Sequence, residues 1–296
     1  MDRRLRKHPL GYWEIENKPT TDELHKYYAD KYYQEGKGSY DLDYSEEELL
    51  YFNAKLQQRF SVIQRHLQPL QVKADFLDVG CGEGYALAFF RKQGWSVRGM
   101  DFSSAGVASK NADCLDALAI GDVFELLRYD IAAGKTYDVV WLQNVLEHVL
   151  DAPGLLKSLR SLVAPGGVAV VTVPNDCSMT QRAALAAQHI DNAFWVAPPD
   201  HLSYFDSQTL ANTVSQTGWQ CVEMLGDFPV DWYLFHPGSN YIRDRSAGKA
   251  AHKARVQIEN LISEQPIENV IQFWSSAAKL GLGRDLTVFM KPSGIE

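Results

Sequence analysis

The residues best placed to do chemistry in this sequence are two carboxylates and a glycine-rich turn. Asp78 lies inside the short run 76–79, whose other residues are the apolar side chains expected of a buried strand. Three glycines follow it, at Gly80, Gly82 and Gly84. Glycine permits positive φ and lets a ligand approach the backbone closely. Asp101 follows after the length of one helix and one strand, where a carboxylate can accept hydrogen bonds from both hydroxyls of a ribose. The pattern predicts a nucleoside pocket.

The turn differs from the dinucleotide fingerprint G-x-G-x-x-G at three positions. Gly84 comes one position early, and Tyr85 stands where the fingerprint has glycine or alanine. Glu83 places a negative charge inside the turn, where the phosphates of a dinucleotide would be repelled. The sequence therefore predicts a nucleoside ligand that lacks a pyrophosphate.

Here the sequence resembles the class I S-adenosylmethionine-dependent methyltransferases. Residues 78–84 resemble the first motif of that family, and Asp101 stands where its ribose-binding acid stands. Three further segments resemble family elements, at 121–123, at 137–149 and at 164–173. The resemblance covers residues 72–225.

The resemblance implies S-adenosylmethionine as the cofactor and S-adenosylhomocysteine as the product. It implies adenine contacts from Asp122 and Val123, although Asp122 is also a favourable N-cap for the helix that follows. Gln143 and Asn144 are expected near the methionine part. The expected cofactor-binding residues are Asp78, Gly80, Cys81, Gly82, Gly84, Tyr85, Asp101, Phe102, Asp122, Val123, Gln143, Asn144 and, from the N-terminal segment, Tyr33.

Strand and helix patterns alternate between residues 75 and 173, which predicts an α/β fold with a parallel sheet covered on both faces. With the resemblance, this becomes a Rossmann-like class I methyltransferase fold with a mostly parallel seven-stranded sheet. Strands are predicted at 75–80, 95–100, 117–120, 137–142, 168–173, 219–225 and 286–290, and helices at 84–93, 104–110, 123–130, 152–163 and 207–217. Ligands of such sheets bind beyond the carboxyl ends of the strands. That rule places Gly80, Asp101, Asp122, Gln143, Asn144 and Pro174 on one rim.

The organisation predicted from these patterns is one core with additions. Residues 1–70 are expected to form an aromatic-rich helical cap, 71–226 the cofactor-binding core, 227–284 a helical insertion between the last two strands, and 285–296 the final strand. Within the cap, Ser45 and Glu48 form a capping box that starts a long helix with one buried stripe. The cap tyrosines either pack against the core or, at Tyr33 or Tyr40, close over the cofactor.

Two histidines are candidates for the catalytic base. Methyl transfer to a hydroxyl needs a group that removes its proton, and a rim histidine suits that role. His201, in the segment 197–205, and His148, in 146–149, are both expected on the rim. Each can instead fix its loop by hydrogen bonds. Asp200 and Tyr204 are the expected partners that orient His201.

Composition and charge exclude several classes of protein. A net charge of −8 and a pI near 5.5 argue against a nucleic-acid partner. The four cysteines have no metal-ligand spacing, and no run reaches the length of a membrane span, so we expect a cytoplasmic protein with reduced thiols. No metal is expected, because Asp138 begins its strand at the wrong end, and turnover should be undiminished in chelator.

The extensive cover predicts an enclosed small-molecule acceptor. The layout resembles methyltransferases of sugar and surface-polysaccharide pathways, which implies O- or N-methylation of a sugar or nucleotide-linked sugar. A quinone or other aromatic acceptor is the first alternative, and a cofactor-binding module without turnover is the second. The sequence leaves a homodimer open.

Overall fold

The computed structural model describes residues 2–29, 43–68 and 73–294 of the protein. In chain order the strands are β1 (Leu5–Lys7), β2 (Trp13–Ile15), β3 (Asp75–Val79), β4 (Ser96–Asp101), β5 (Leu118–Ile120), β6 (Tyr137–Gln143), β7 (Val163–Pro174), β8 (Ser203–Tyr204), β9 (Trp219–Leu225) and β10 (Asp285–Pro292). The helices are α1 (Thr21–Ala29), α2 (Glu46–His66), α3 (Tyr85–Lys92), α4 (Ala105–Lys110), α5 (Val123–Ala132), α6 (Ala152–Arg160), α7 (Met179–Ala186), α8 (Ser207–Gln216), α9 (Gly248–Ser263) and α10 (Ile267–Lys279). No described helix is long and apolar enough to cross a membrane.

A seven-stranded sheet forms the centre of the molecule, in the order β5-β4-β3-β6-β7-β10-β9. Strands β3 to β7 are parallel, and β10 is antiparallel to both β7 and β9. This confirms the predicted α/β class, the sheet and the antiparallel end.

Alternation along the central strands separates the core into two layers. Leu77 and Val79 of β3 pack into one apolar cluster, and Phe76 packs into the other on the opposite face. Successive side chains of a strand point to opposite faces, so Asp78 shares the face of Phe76. The polar residue in the run is thereby directed under α2.

Strand β7 begins at Val163 rather than at residue 168. Val163 pairs with Tyr137, and pairing resumes at Val168 with Val139, so the intervening residues form a bulge. The predicted helix 152–163 correspondingly ends at Arg160.

The N-terminal segment is only partly helical, which corrects the prediction of a helical cap. β1, β2 and β8 form a three-stranded sheet, in which Trp13 pairs with Tyr204. Aromatic and β-branched residues favour such pairing once a free strand edge is available. This sheet ties the start of the chain to the loop that carries His201.

Helix α2 starts as predicted, with the reciprocal capping box of Ser45 and Glu48. Its stripe is buried at Leu56, Phe60, Ile63 and Leu67, whereas Leu49 is exposed and Phe52 half-buried. Arg59 of α2 is buried as well. Apolar packing alone does not account for a buried arginine on this helix.

The segment between β9 and β10 carries two helices, α9 and α10, as predicted. Val270, Ile271 and Trp274 of α10 are buried against the sheet. Helix α9 lies against α2, and Phe228 donates its backbone N–H to Glu259 of α9 at 3.2 Å. The insertion is therefore packed on the same face as α2.

Candidate functional site

The glycine turn after β3 has the backbone geometry that the sequence predicts. Gly80, Gly82 and Gly84 all have positive φ, at 75°, 53° and 77°. A side chain at Gly80 would meet Val145, but a Cβ at Gly82 would project into open space. Gly82 is therefore the point where a ligand can lie directly on the backbone.

Asp101 at the end of β4 is joined to this turn. Its Oδ2 accepts from the backbone N–H of Gly82 at 2.8 Å, and its Oδ1 accepts from Ser103 N–H at 3.1 Å. Burial raises the pKa of the Asp101 carboxyl, and the backbone donors oppose that shift. The two oxygens are thus fixed at the mouth of the turn, where ribose hydroxyls would donate to them.

A cavity of about 750 Å³ opens beside Asp101 at the carboxyl ends of β3 to β6. Predicted cofactor residues line it: Gly80, Gly82, Asp101, Phe102, Asp122, Val123, Gln143 and Asn144. Asp122 also caps α5, accepting from Glu125 N–H at 2.9 Å, so both roles considered for it are compatible. The dimensions and the ribose acid suit an adenosine.

A second cavity of about 340 Å³ continues under α2 and shares Gly80, Gly82 and Gln143 with the first. Asp78 lines it and is only 3 % exposed. Burial, and then the nearby Asp101 charge, raise the pKa of the Asp78 carboxyl to about 8. Such a carboxyl needs a cation to be stabilised in its charged form.

Arg59 supplies the complementary charge in the second cavity, and sequence analysis missed it. This buried guanidinium donates from Nη1 to Oε1 of Gln143 at 2.8 Å and lies 5.4 Å from the Trp141 ring. The sequence feature that could have identified Arg59 is its position next to the apolar stripe of α2. Arginine stays charged when buried and needs an anion or strong acceptors.

The residues present fit S-adenosylmethionine. Its adenosine matches the Asp101 and Asp122 end, and its amino-acid part carries an ammonium and a carboxylate that match Asp78 and Arg59. Gly82 lines both cavities, so its open backbone lies between the adenosine end and the amino-acid end of the cofactor. A dinucleotide would instead bring phosphates to the buried Asp78 and Glu83.

Two of the predicted cofactor residues, Tyr85 and Cys81, do not line the adenosine cavity, and a third is outside the described part of the chain. Tyr85 lies in the second cavity, where its ring contacts Phe52 and Tyr44 at 5.3 and 6.0 Å between centroids, away from the adenosine end. Cys81 is buried, and its Sγ lies against Gly99 of β4, so its contribution is backbone. Tyr33, like Tyr40, lies outside the described residues.

Gly106 of α4 was not predicted, yet the turn depends on it. A Cβ there would lie 2.5 Å from the carbonyl oxygen of Gly82, closer than a side chain can approach. The Gly106→Ala variant is therefore expected to displace the turn and to raise the Kd of S-adenosylmethionine by about tenfold, on the order of 1.4 kcal/mol. Calorimetry checks this. Gly248→Ala, where an added Cβ meets nothing, is the matched control, and equal affinity in the two variants would contradict the prediction.

His148 and His201 lie together, with ring centroids 4.9 Å apart in an edge-to-face arrangement. His148 donates from Nδ1 to the backbone oxygen of Asp200 at 2.7 Å. His201 Nδ1 lies 3.3 Å from Oδ2 of Asp176, and Arg284 donates to the other oxygen of that carboxylate at 2.8 Å.

The carboxylate at the His201 ring differs from the one expected. Tyr204 donates its hydroxyl to the backbone oxygen of His201, at 2.7 Å, and the carboxylate facing the His201 ring belongs to Asp176. The reason is that Asn175, just after β7, pairs with Phe205. This pairing brings the next residue, Asp176, to the loop that carries His201. Arg284 lowers the pKa of Asp176 against the effect of burial.

The turn between β6 and the histidine pair contains strained and unsatisfied groups. Asn144 has a φ of 52°, which for a residue with a side chain costs on the order of 1 kcal/mol. Glu147 is 1 % exposed, and burial raises its pKa well above the ordinary value. Its Oε2 has no hydrogen-bond partner within the part of the chain described. Strain and unpaired polar atoms of this kind concentrate at functional sites.

Comparison with known proteins places the chain in a family. A family model described as a methyltransferase domain matches residues 48–224. The ubiquinone biosynthesis O-methyltransferase of Ralstonia nicotianae is 26 % identical over 153 residues, covering 51 % of this chain and 64 % of that protein. The enzyme of the same name from Burkholderia multivorans is 29 % identical over 153 residues, covering 51 % and 66 %. The chain thus spans less than two thirds of the length of these curated relatives.

Among solved structures, a SAM-dependent methyltransferase from Archaeoglobus fulgidus matches with a TM-score of 0.50 and 17 % identity, over 90 % of this chain and 99 % of that one. This likeness supports the fold. The family match covers more than half of the chain and includes the glycine turn, Asp101 and the strand that leads to His148. The chain belongs to the methyltransferase domain family, and its fold is that of the class I S-adenosylmethionine-dependent methyltransferases.

Proposed function

We propose that the protein transfers the methyl group of S-adenosylmethionine to a hydroxyl oxygen of an enclosed small molecule. The observation that carries this proposal is the histidine pair at the carboxyl rim of the sheet. His148 lines the same cavity as Asp101 and Asp122, and the ring of His201 packs edge-to-face on the ring of His148. A hydroxyl needs such a base, whereas an amine needs it less.

Two charged residues would hold the amino-acid end of the cofactor. Asp78 would accept from the ammonium group, and Arg59 would donate to the carboxylate. Both side chains are buried, so these hydrogen bonds form in a medium where charge assistance is strong. The methyl group is then held at the glycine turn, near the shared wall formed by Gly80 and Gln143.

His201 is the proposed base. When its Nδ1–H donates to Asp176, the lone pair is on Nε2, which can take the proton of the acceptor hydroxyl. S-adenosylmethionine, when bound, would supply the methyl group to the acceptor oxygen, and the electrons of its carbon–sulfur bond would stay on sulfur. The products are the methyl ether, S-adenosylhomocysteine and a protonated imidazole, which Asp176 stabilises.

A sugar or nucleotide-linked sugar is our first proposal for the acceptor. The exposed amides of Gln143 and Asn144 and the two imidazoles offer hydrogen bonds to several hydroxyls. A quinol or other phenol is the second candidate. The apolar wall of Val145, Val149 and Leu150 favours it, as do the names of the ubiquinone-pathway relatives.

The test is to incubate the protein with methyl-labelled cofactor and two acceptor sets, a nucleotide-sugar pool and a series of catechols and hydroquinones. We expect label in a nucleotide sugar, and a much lower rate of labelling when His201 is replaced by Ala. Label confined to the phenols would replace the first acceptor with the second. Calorimetric binding of the cofactor with label in neither set would contradict methyl transfer and favour a binding module.

The raised pKa of Asp78 predicts how cofactor affinity depends on pH. Because this carboxyl has a pKa of about 8 without cofactor, it is mostly protonated at pH 6 to 7 and must lose its proton to hold an ammonium. The Kd of S-adenosylmethionine should fall about tenfold from pH 6 to pH 7, with one proton released. Calorimetry in buffers of different ionisation enthalpy measures both. Asp78→Asn should bind weakly with no such slope, and a flat wild-type profile would contradict the assignment.

A further inference from the structure

A second chemical feature lies at the histidine pair. Glu147, His148 and His201 each offer one nitrogen or oxygen atom that could bind a metal ion, and these three atoms lie within 4.8 Å of one another. Glu147 is buried, and the two histidines are half-buried. These residues come from two separate loops, after β6 and before β8.

Both imidazoles are held in the manner typical of metal ligands. His148 donates from Nδ1 to the backbone oxygen of Asp200, and His201 Nδ1 faces the carboxylate of Asp176. A backbone carbonyl or carboxylate on one ring nitrogen fixes the tautomer, orients the ring and raises the basicity of the other nitrogen. Each Nε2 then carries a lone pair. The Nε2 atom of His148 lies 3.6 Å from Oε1 of Glu147.

Glu147 supplies an independent indication that this cluster can bind a cation. Its Oε2 is buried and makes no hydrogen bond to any residue described here. A buried carboxyl oxygen without a hydrogen-bond partner is costly, because neither water nor a protein donor replaces its lost hydration. A cation bound between the carboxylate and the imidazoles would remove that cost.

We propose that Glu147, His148 and His201 form a binding site for a divalent transition-metal ion, with Zn²⁺ as its probe. Two imidazole nitrogens and one carboxylate oxygen are a donor set that Zn²⁺ takes in three-ligand sites, with bonds near 2.0–2.2 Å. Ligand atoms within 4.8 Å of one another need only a small side-chain movement to reach such bonds. Mg²⁺ and Ca²⁺, which prefer oxygen ligands, suit this set poorly.

Metal occupancy has a consequence that depends on the proposed function. The proton step uses the Nε2 lone pair of His201, and a bound ion would occupy it. The metal-free protein is therefore the active form, and Zn²⁺ inhibits methyl transfer. The sequence predicts no metal, and the proposed site departs from that prediction, whereas turnover that is undiminished in chelator is expected in both cases.

The primary test is binding of Zn²⁺ to the full chain by calorimetry, followed by the visible absorption of the Co²⁺ form. We expect one tight site, and a Kd raised on the order of 100-fold in Glu147→Gln and in His148→Ala. Co²⁺ should give the intense bands of a low-coordinate site, which Glu147→Gln weakens. His236→Ala removes an exposed histidine and is the matched control, expected to bind like the wild type.

The outcomes separate the metal site from the proposed function. Wild-type protein that binds no Zn²⁺, or variants that bind it as tightly as the control, would overturn the site and leave methyl transfer untouched. Thermal unfolding of each variant shows whether a loss reflects misfolding, and a folded His148→Ala variant is sufficient for the comparison. Zn²⁺ that binds in a 1:1 ratio and raises label transfer would support the site and overturn His201 as the free base.

Discussion

Replacing His201 by Ala is expected to lower kcat by about 10²- to 10⁴-fold, the range typical of a general base. The reason is that the acceptor hydroxyl would lose the group that takes its proton, while the cofactor residues Asp101 and Arg59 stay in place. The Kd of S-adenosylmethionine should therefore change by less than about twofold. Steady-state kinetics with the acceptor found by label transfer, together with calorimetry, measure the two quantities separately.

The His236→Ala variant is the control for this experiment, because that histidine is exposed and lies outside both cavities. Its kcat should match the wild type. Should His201→Ala keep kcat within about threefold, the base would be His148 or solvent, and His201 would have a structural role only. A parallel loss of cofactor affinity would instead indicate that the His201 loop supports the cofactor cavity.

The sequence predicted the cofactor turn well because its function depends on neighbouring residues. The glycines need positive φ, and Asp101 follows one crossover later, so a single stretch contains both requirements. The alternation of strands and helices followed from the hydrophobic pattern, and the seven-stranded sheet followed from the family resemblance. Boundaries differed where pairing decided them, as at the bulge that starts β7 at Val163.

The parts that were missed depend on distant elements. Arg59 lies beside an apolar stripe, and its role is visible only because the sheet places Gln143 next to it. Asp176 contacts both His201 and Arg284, and Arg284 is 108 residues away in the chain. Helical periodicity cannot reveal such a contact. The strand pairing of the N-terminal segment has the same origin, since β2 requires the edge that β8 provides.

Asp101→Ala is the variant expected to weaken cofactor binding most. Each ribose hydroxyl that donates to a carboxylate contributes about 1.5–3 kcal/mol, so loss of both raises the Kd of S-adenosylmethionine by about 100-fold or more. The same carboxylate also accepts from the backbone of Gly82 and Ser103, which keeps the turn in place. Calorimetry with the wild type and the variant measures the change directly.

S-adenosylhomocysteine provides the decisive comparison, because it shares the ribose but lacks the sulfonium charge. If Asp101 holds the ribose, the variant should lose affinity for donor and product by the same factor. If it acts only as a general negative charge on the sulfonium, the loss should be confined to the donor. Asp113→Ala, an exposed acid in the 3₁₀ turn after α4, is the control and should bind both ligands normally. Equal affinities in Asp101→Ala and this control would contradict the nucleoside pocket itself.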